Sequence, residues 1–338
     1  DVLGLHREAR DGRPVAVDLV VQERERLALL ARGLGVEVVA KGRPLRDILA
    51  EREGTDGIPS GYLDYAELVA ELGSYAAAHP GIAQLVDLTA TYGTPATVEG
   101  RHLFALKISD NVAIDEDEPA LLVVSAHHAR EVVTPVIALD AIDRLLSGYA
   151  APGAIRDAVD GNEIWIAPVW NPDGYHHVFT TDNLWRKNRR VFGSDVGVDQ
   201  NRNYPFGWNT ACSGSTNPGS GAFKGPSPAS EAETQTMIAW SDDRRFAKVL
   251  DYHSYGQEVL HGYGCWSHPF GEYLEEEAIS LSIGAGYDGS HRSPSADGEH
   301  FEWQLAVHAA FAFLMETHTS FQPPYASAVS EAALVWPG

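Results

Sequence analysis

The sequence predicts an α/β protein: a three-layer α/β/α sandwich with a mixed, mostly parallel sheet, preceded by a small N-terminal α/β domain. Three observations predict it. Apolar runs of strand length recur: PALLVVSA at 119–126, EIWIAPVW at 163–170, AKVLDYHS at 247–254 and AFAFLMETH at 310–318. A strand buried on both faces needs such a continuous run. Segments of helical spacing separate the runs, and this alternation marks a sheet covered by helices on both sides. The third observation is size: 338 residues, 44% hydrophobic and 21% charged, can bury a large core. On a prior of about 150 residues per domain, that length suggests two domains, or one large domain with an appendage.

Element by element, VAVDLVV at 15–21 predicts a strand, and the charged stretch at about 22–32 a helix. Gly33 and Gly35 break the pattern before a second strand, VEVVAKG, and a short helix around PLRDILAE. This unit ends near residue 53, and the Gly, Pro and Ser content of EGTDGIPSG marks a linker. The expected division is 1–53, linker 54–61, and 62–338. YAELVAELGSYAAAHP has helical spacing and stops at Pro80. QLVDLTATYG and HLFALKI alternate like strands. TPVIALDAIDRLL starts a helix with Pro135 near its beginning, where a missing N–H does no harm. NPDG after residue 170 reads as a turn. Residues 180–230 are polar and rich in Gly, Ser and Asn, and a loop that long in a compact domain is usually functional. SEAETQTMIAWSDD and ASAVSEAALVW predict two further helices.

Charge excludes one class of partner. Asp and Glu outnumber Lys and Arg by 47 to 25, a net charge of −22, and such a surface repels phosphate backbones. No apolar run approaches the roughly 18 residues of a membrane-spanning helix, so neither nucleic acid nor membrane is an expected partner. Cys212 and Cys265 allow at most one disulfide, which is compatible with export. The chain starts at Asp1 and reads as a mature chain, expected to be secreted or otherwise extracytoplasmic.

Three of the buried runs end in residues of catalytic type. SAHHARE follows the first and holds His128 and Glu131, DYHSY carries His253, and METH carries Glu316. Ligands of open α/β sheets bind at the carboxyl ends of strands. Two His and one carboxylate form the ligand set of a catalytic zinc, with the fourth position left to water. Glu316 is then a candidate base. A single HxxE means little alone, and His127 beside His128 leaves the ligand ambiguous by one residue. NLWRKNRR and VDQNRNYPFGW add a second cluster, locally basic in an acidic protein. Arg186 and Arg202 suit a planar carboxylate, because guanidinium offers a two-pronged fork, although a lone Arg is more often ordinary surface charge.

Here the chain resembles a known family. GYLDYAELVAEL, the HxRE of His128–Glu131, NPDGY, WRKNRR, VDQNRNY, FKGPSPASEAET, DYHSYGQ and the METH glutamate follow the order and approximate spacing of the zinc metallocarboxypeptidases of the carboxypeptidase A type, over residues of about 61–322. The resemblance implies His128, Glu131 and His253 as zinc ligands, Glu316 as general base, and Arg186 as the group that stabilises the oxyanion. It implies Asn201 and Arg202 as binders of the terminal carboxylate, with Arg130 and Tyr255 at neighbouring substrate positions. Asp199 would orient His128, and the Ser254–Tyr255 bond stands where the family has a cis peptide. Both cysteines would fall in loops near the site's rim, where a disulfide is expected.

The match has departures. Counting back from Trp303 reaches RSPSADG, which lacks the family's mobile tyrosine, and Tyr287 lies too far upstream. The same count puts Phe301 at the specificity pocket, flanked by Glu299, His300 and Glu302. The implied activity is zinc-dependent release of C-terminal residues, with apolar residues expected to be preferred, from peptides with a free terminal carboxylate. A zinc amidase acting on cell-wall peptides or acylated amino acids is an alternative, and a non-catalytic peptide-binding relative is another. The N-terminal unit resembles a short prosegment.

Overall fold

A computed structural model describes residues 2–7, 14–19, 29–36 and 57–338. The chain divides into two units, Asp1–Asp56 and Gly57–Gly338. In the first, β1 (Val2–Arg7) pairs antiparallel with β2 (Pro14–Leu19). β1 is not among the predicted strands. Residues 29–31 are helical, at the end of the helix expected over 22–32. The start of that helix, the strand expected after residue 36 and the helix around PLRDILAE lie outside the described residues.

The second unit opens with α1 (Tyr65–Ala78), where Asp64 and Glu67 form a reciprocal capping box. β3 (Ala83–Asp87) follows, and here the structure departs from the sequence pattern. QLVDLTATYG is half strand and half helix, because the Asp87 side chain accepts from the N–H of Ala90 and starts α2 (Leu88–Tyr92). Gly93, at φ 63°, ends it. β4 (Phe104–Ile108) and β5 (Ala120–Ser125) lead to α3 (Val133–Gly148) and the short α4 (Ala154–Asp160). After β6 (Glu163–Ala167), NPDG proves to be a helix start. Asn171 caps α5 (Pro172–Thr180), with Pro172 in the first turn. The long polar segment carries only β7 (Val191–Phe192), β8 (Asp195–Val196) and a 3₁₀ turn at Gln200–Arg202. Then come α6 (Ala232–Arg244), β9 (Lys248–Ser254), β10 (Glu258–Leu260), α7 (Gly271–Gly284), β11 (His291–Arg292), α8 (His300–His308), β12 (Phe311–Thr317) and α9 (Tyr325–Val335).

Eight strands form one mixed sheet in the order β11-β10-β12-β9-β5-β6-β4-β3. Its centre, β12-β9-β5-β6, is parallel. β10 runs antiparallel to β12, and β4 antiparallel to β6. Neighbouring residues on β6 serve different cores: Trp165 and Ala167 join one cluster, Ile164 and Ile166 the other. That period of two explains the continuous apolar runs, since both faces are covered by helices. Among the described residues, no helix is long and apolar enough to cross a membrane.

Candidate metal and catalytic site

The parallel centre of the sheet brings the polar strand ends together. β5 exits through Ala126 at φ 53°, and the chain turns through His127–Glu131 before entering α3. His253 stands near the end of β9, with Glu316 as its register partner on β12. His128, Glu131 and His253 are all buried.

These three side chains converge. The His128 Nδ1 lies 2.8 Å from Glu131 Oε1, and the His253 Nδ1 lies 3.1 Å from Glu131 Oε2. The two Nδ1 atoms are 3.0 Å apart. Glu131 Oε2 also accepts the backbone N–H of Ser254 at 3.1 Å. Behind the cluster, the His128 Nε2 faces Asp199 Oδ1 at 3.2 Å, and Asp199 Oδ2 accepts from Arg186 Nη2 at 2.7 Å and Nε at 3.2 Å. Burial and the Arg186 charge push His128 below the ordinary imidazole value, so the neutral ligating form is favoured. For His253, burial also works downward, but the carboxylates of Asp251 and Glu131 more than reverse it and lift it well above that value. A cation in place of that proton satisfies the same carboxylate.

The donor set fits zinc. Two imidazole nitrogens and a carboxylate, with donor atoms all within 4.8 Å of one another, match a catalytic zinc with three protein ligands. The outer nitrogen of His128 faces a carboxylate, the arrangement that holds a ligating ring in its tautomer.

Glu316 flanks this cluster. Its Oε2 is buried and has no hydrogen-bond partner among the described residues. Burial, with the nearby Glu131 charge, pushes it up to about 7. Arg130 stacks over Phe321 at 4.2 Å, and Tyr255 packs edge-on against the same ring at 4.8 Å with 54% of its surface exposed. The Ser254–Tyr255 peptide is cis.

The carboxylate-binding candidates are differently engaged. Arg202 pairs with Glu299 Oε1 at 2.9 Å and donates to the Asn201 carbonyl at 2.6 Å. Asn201 is buried, and its Oδ1 accepts the backbone N–H of His300 at 2.8 Å. Phe301 is 0% exposed and shares a packed core cluster with Trp303 and Leu305, so no water-sized space reaches its ring. Tyr287 is also buried, its hydroxyl bonded to Glu331, which excludes it as a displaced mobile phenol.

Cys212 and Cys265 form a disulfide. Sequence reasoning missed the polar group behind His253: Asp251, His127 and His300, all fully buried. The available signal was an acidic residue inside an otherwise apolar strand, two positions before a candidate ligand.

Comparison with known proteins agrees with this geometry. The chain matches the zinc carboxypeptidase family over residues 68–330. It is 31% identical to a zinc carboxypeptidase of Saccharothrix mutabilis subsp. capreolus, over 96% of this chain and 78% of that protein. It is 32% identical to zinc carboxypeptidase A 1 of Drosophila melanogaster, over 60% of this chain and 46% of that protein. Among solved structures, its fold is similar to the carboxypeptidase A from Helicoverpa armigera, with a TM-score of 0.75 and 24% identity, covering 98% of this chain and 88% of that one. The chain therefore belongs to the zinc carboxypeptidase family and is a metallocarboxypeptidase, a zinc-dependent hydrolase of peptide substrates.

Proposed function

We propose that this enzyme removes single residues from peptides with a free C-terminal carboxylate, with Glu316 as general base and His128, Glu131 and His253 as the zinc ligands. The observation that carries the reading is the unpartnered, buried Oε2 of Glu316 beside the converging ligand atoms. Bound there, zinc would supply Lewis acidity to an attacking water and to the scissile carbonyl. The chain's own groups then handle the protons and the charge. Glu316 accepts the water's proton and returns it to the leaving amine. Arg186 is held by Asp199 through Nε and Nη2, which leaves its Nη1 hydrogens for the carbonyl oxygen as negative charge develops. Arg202, whose Nη1 is taken by Glu299 and the Asn201 carbonyl, would meet the terminal carboxylate with its remaining N–H groups beside Asn201, and Arg130 and Tyr255 line the path of the preceding residues.

For the terminal side chain, the apolar preference expected from Phe301 loses that support, because the ring is sealed in the core. One observation favours a second reading, a cationic side chain. Glu299 is buried, pairs through Oε1 with Arg202, and leaves Oε2 without a partner among the described residues. The test is kcat/KM on blocked dipeptides ending in Leu, Phe, Lys and Arg, each as free acid and as amide. Equal rates on acid and amide would refute terminal-carboxylate recognition. A Lys and Arg preference that disappears in Glu299→Gln would establish the cationic reading.

A further inference from the structure

The structure assigns Asp251 as a positioning residue: one buried carboxylate that collects three imidazoles and fixes the outer nitrogen of the ligand His253. It deepens the proposed reading, since it rests on His253 being a zinc ligand.

Asp251 and His253 lie two residues apart on β9, so both side chains point to the same face of the sheet. Asp251 Oδ1 lies 3.3 Å from His253 Nε2 and 3.0 Å from His127 Nδ1. Its Oδ2 lies 3.1 Å from His300 Nδ1. Asp251, His127 and His300 are 0% exposed, and His253 is 1% exposed, so water does not compete for these bonds. An ionised carboxylate only accepts hydrogen bonds, so the facing nitrogens of His127 and His300 carry protons. His253 Nε2 is also faced by the Asn201 amide nitrogen at 3.4 Å, and there the charged carboxylate at 3.3 Å outweighs the neutral amide, so this nitrogen too is assigned a proton. The outer contacts agree with neutral rings. The Tyr204 hydroxyl faces His127 Nε2 at 3.1 Å and can donate to it. The Gln304 amide faces His300 Nε2 at 3.0 Å, and its second hydrogen goes to Ser241 Oγ at 2.8 Å.

The consequence falls on His253. With one proton held at Nε2, a metal that takes the place of the proton at Nδ1 meets the lone pair of a neutral ring there, at the atom that faces Glu131 and His128. The His127 ring lies parallel to the His253 ring at 5.6 Å and 14°, which limits tilting of the ligand plane. The same carboxylate reaches the substrate side: it holds His300, whose backbone N–H binds Asn201 Oδ1 at 2.8 Å. Asp199 holds His128 in the same way from the other direction. His127, Asp251 and His253 also place donor atoms within 4.8 Å of one another, as a second ion would require. The contacts among them already engage those atoms, so the positioning role is the one inferred.

The test uses the full chain loaded with zinc. Asp251→Asn is expected to weaken zinc binding, read by chelator competition, by about 10–100-fold, the usual cost of losing such an outer partner. The melting temperature of the zinc-free variant is measured alongside. A lower melting temperature with zinc affinity within about threefold of wild type would make Asp251 merely structural and overturn the assignment. If the variant does not fold, wild-type protein with ¹⁵N-labelled histidine decides. The expected spectrum has exchange-protected protons at His253 Nε2, His127 Nδ1 and His300 Nδ1, and an unprotonated His253 Nε2 would refute the assignment. Binding of a second zinc per chain would replace positioning with a bridged site. His253→Ala separates the two levels: zinc retained by that variant is failure of the ligand reading itself.

Discussion

Replacing Cys212 and Cys265 together by serine removes the covalent link between the long polar segment and the loop after β10. The two cysteines are 53 residues apart in sequence. Closing a loop of that length removes about 14 cal/mol/K from the unfolded chain, or about 4 kcal/mol at 25 °C. The catalytic unit spans Gly57–Gly338. At about 2.1 cal/mol/K per residue, its unfolding entropy is roughly 600 cal/mol/K, so the melting temperature should fall by roughly 7 °C. A functional effect should accompany this. The Cys212 carbonyl accepts from the Asp297 N–H at 3.2 Å, and the Cys265 N–H donates to Asp297 Oδ1 at 3.1 Å. Asp297 precedes Glu299 by two residues, and Glu299 holds Arg202. Loosening this segment is therefore expected to raise KM more than it lowers kcat. The assay is calorimetry of wild type and double variant, followed by kinetics on a blocked dipeptide. A melting-temperature loss below about 2 °C would refute the loop-entropy argument. Two titratable thiols in denatured, unreduced wild type would remove its premise.

Three other outcomes are expected. Glu316→Gln should keep its zinc and lose kcat by about 10²–10⁴-fold, the usual share of a general base, and near-normal kcat with zinc retained would make Glu316 structural. Glu233 in α6 is fully buried, and burial pushes it up to about 8, so the folded chain holds this proton more tightly than the unfolded chain does. Its stabilising contribution is therefore fully present below the unfolded carboxyl value of about 4 and declines as pH rises through the folded value. Glu233→Gln should gain stability over wild type steadily between pH 5 and 8, and a pH-independent difference in denaturant midpoints would contradict this. Finally, we propose that residues 1–53 are a permanent module, because EGTDGIPSG contains no dibasic pair. Limited trypsin treatment should leave activity on small substrates without a large gain, whereas a large gain would identify an inhibitory prosegment.

The strands that build the site were legible because each is a continuous apolar run with a polar end. PALLVVSA, AKVLDYHS and AFAFLMETH carry that signal locally, and the helices between them follow from spacing and punctuation. Local chemistry also misled. QLVDLTATYG alternates like one strand, yet Asp87 finds the N–H of Ala90 and starts a helix. NPDG has turn composition, yet Asn171 and Pro172 are equally good at beginning a helix.

By itself, the sequence determined the fold class, the ordered motifs and the candidates His128, Glu131, His253 and Glu316, since each of these depends on a residue and its near neighbours. Tertiary structure decided what each polar group touches. Asp251 reads as an acidic exception inside an apolar strand until His127, 124 residues away, and His300, 49 away, are folded against it. Phe301 reads as a pocket floor by counting, but the count cannot know that Trp303 and Leu305 pack the same core. Arg202 reads as a free guanidinium until α8 brings Glu299 to it. The physical reason is common to all three: burial and hydrogen bonding are settled by partners distant in sequence, and a linear pattern records only the near ones.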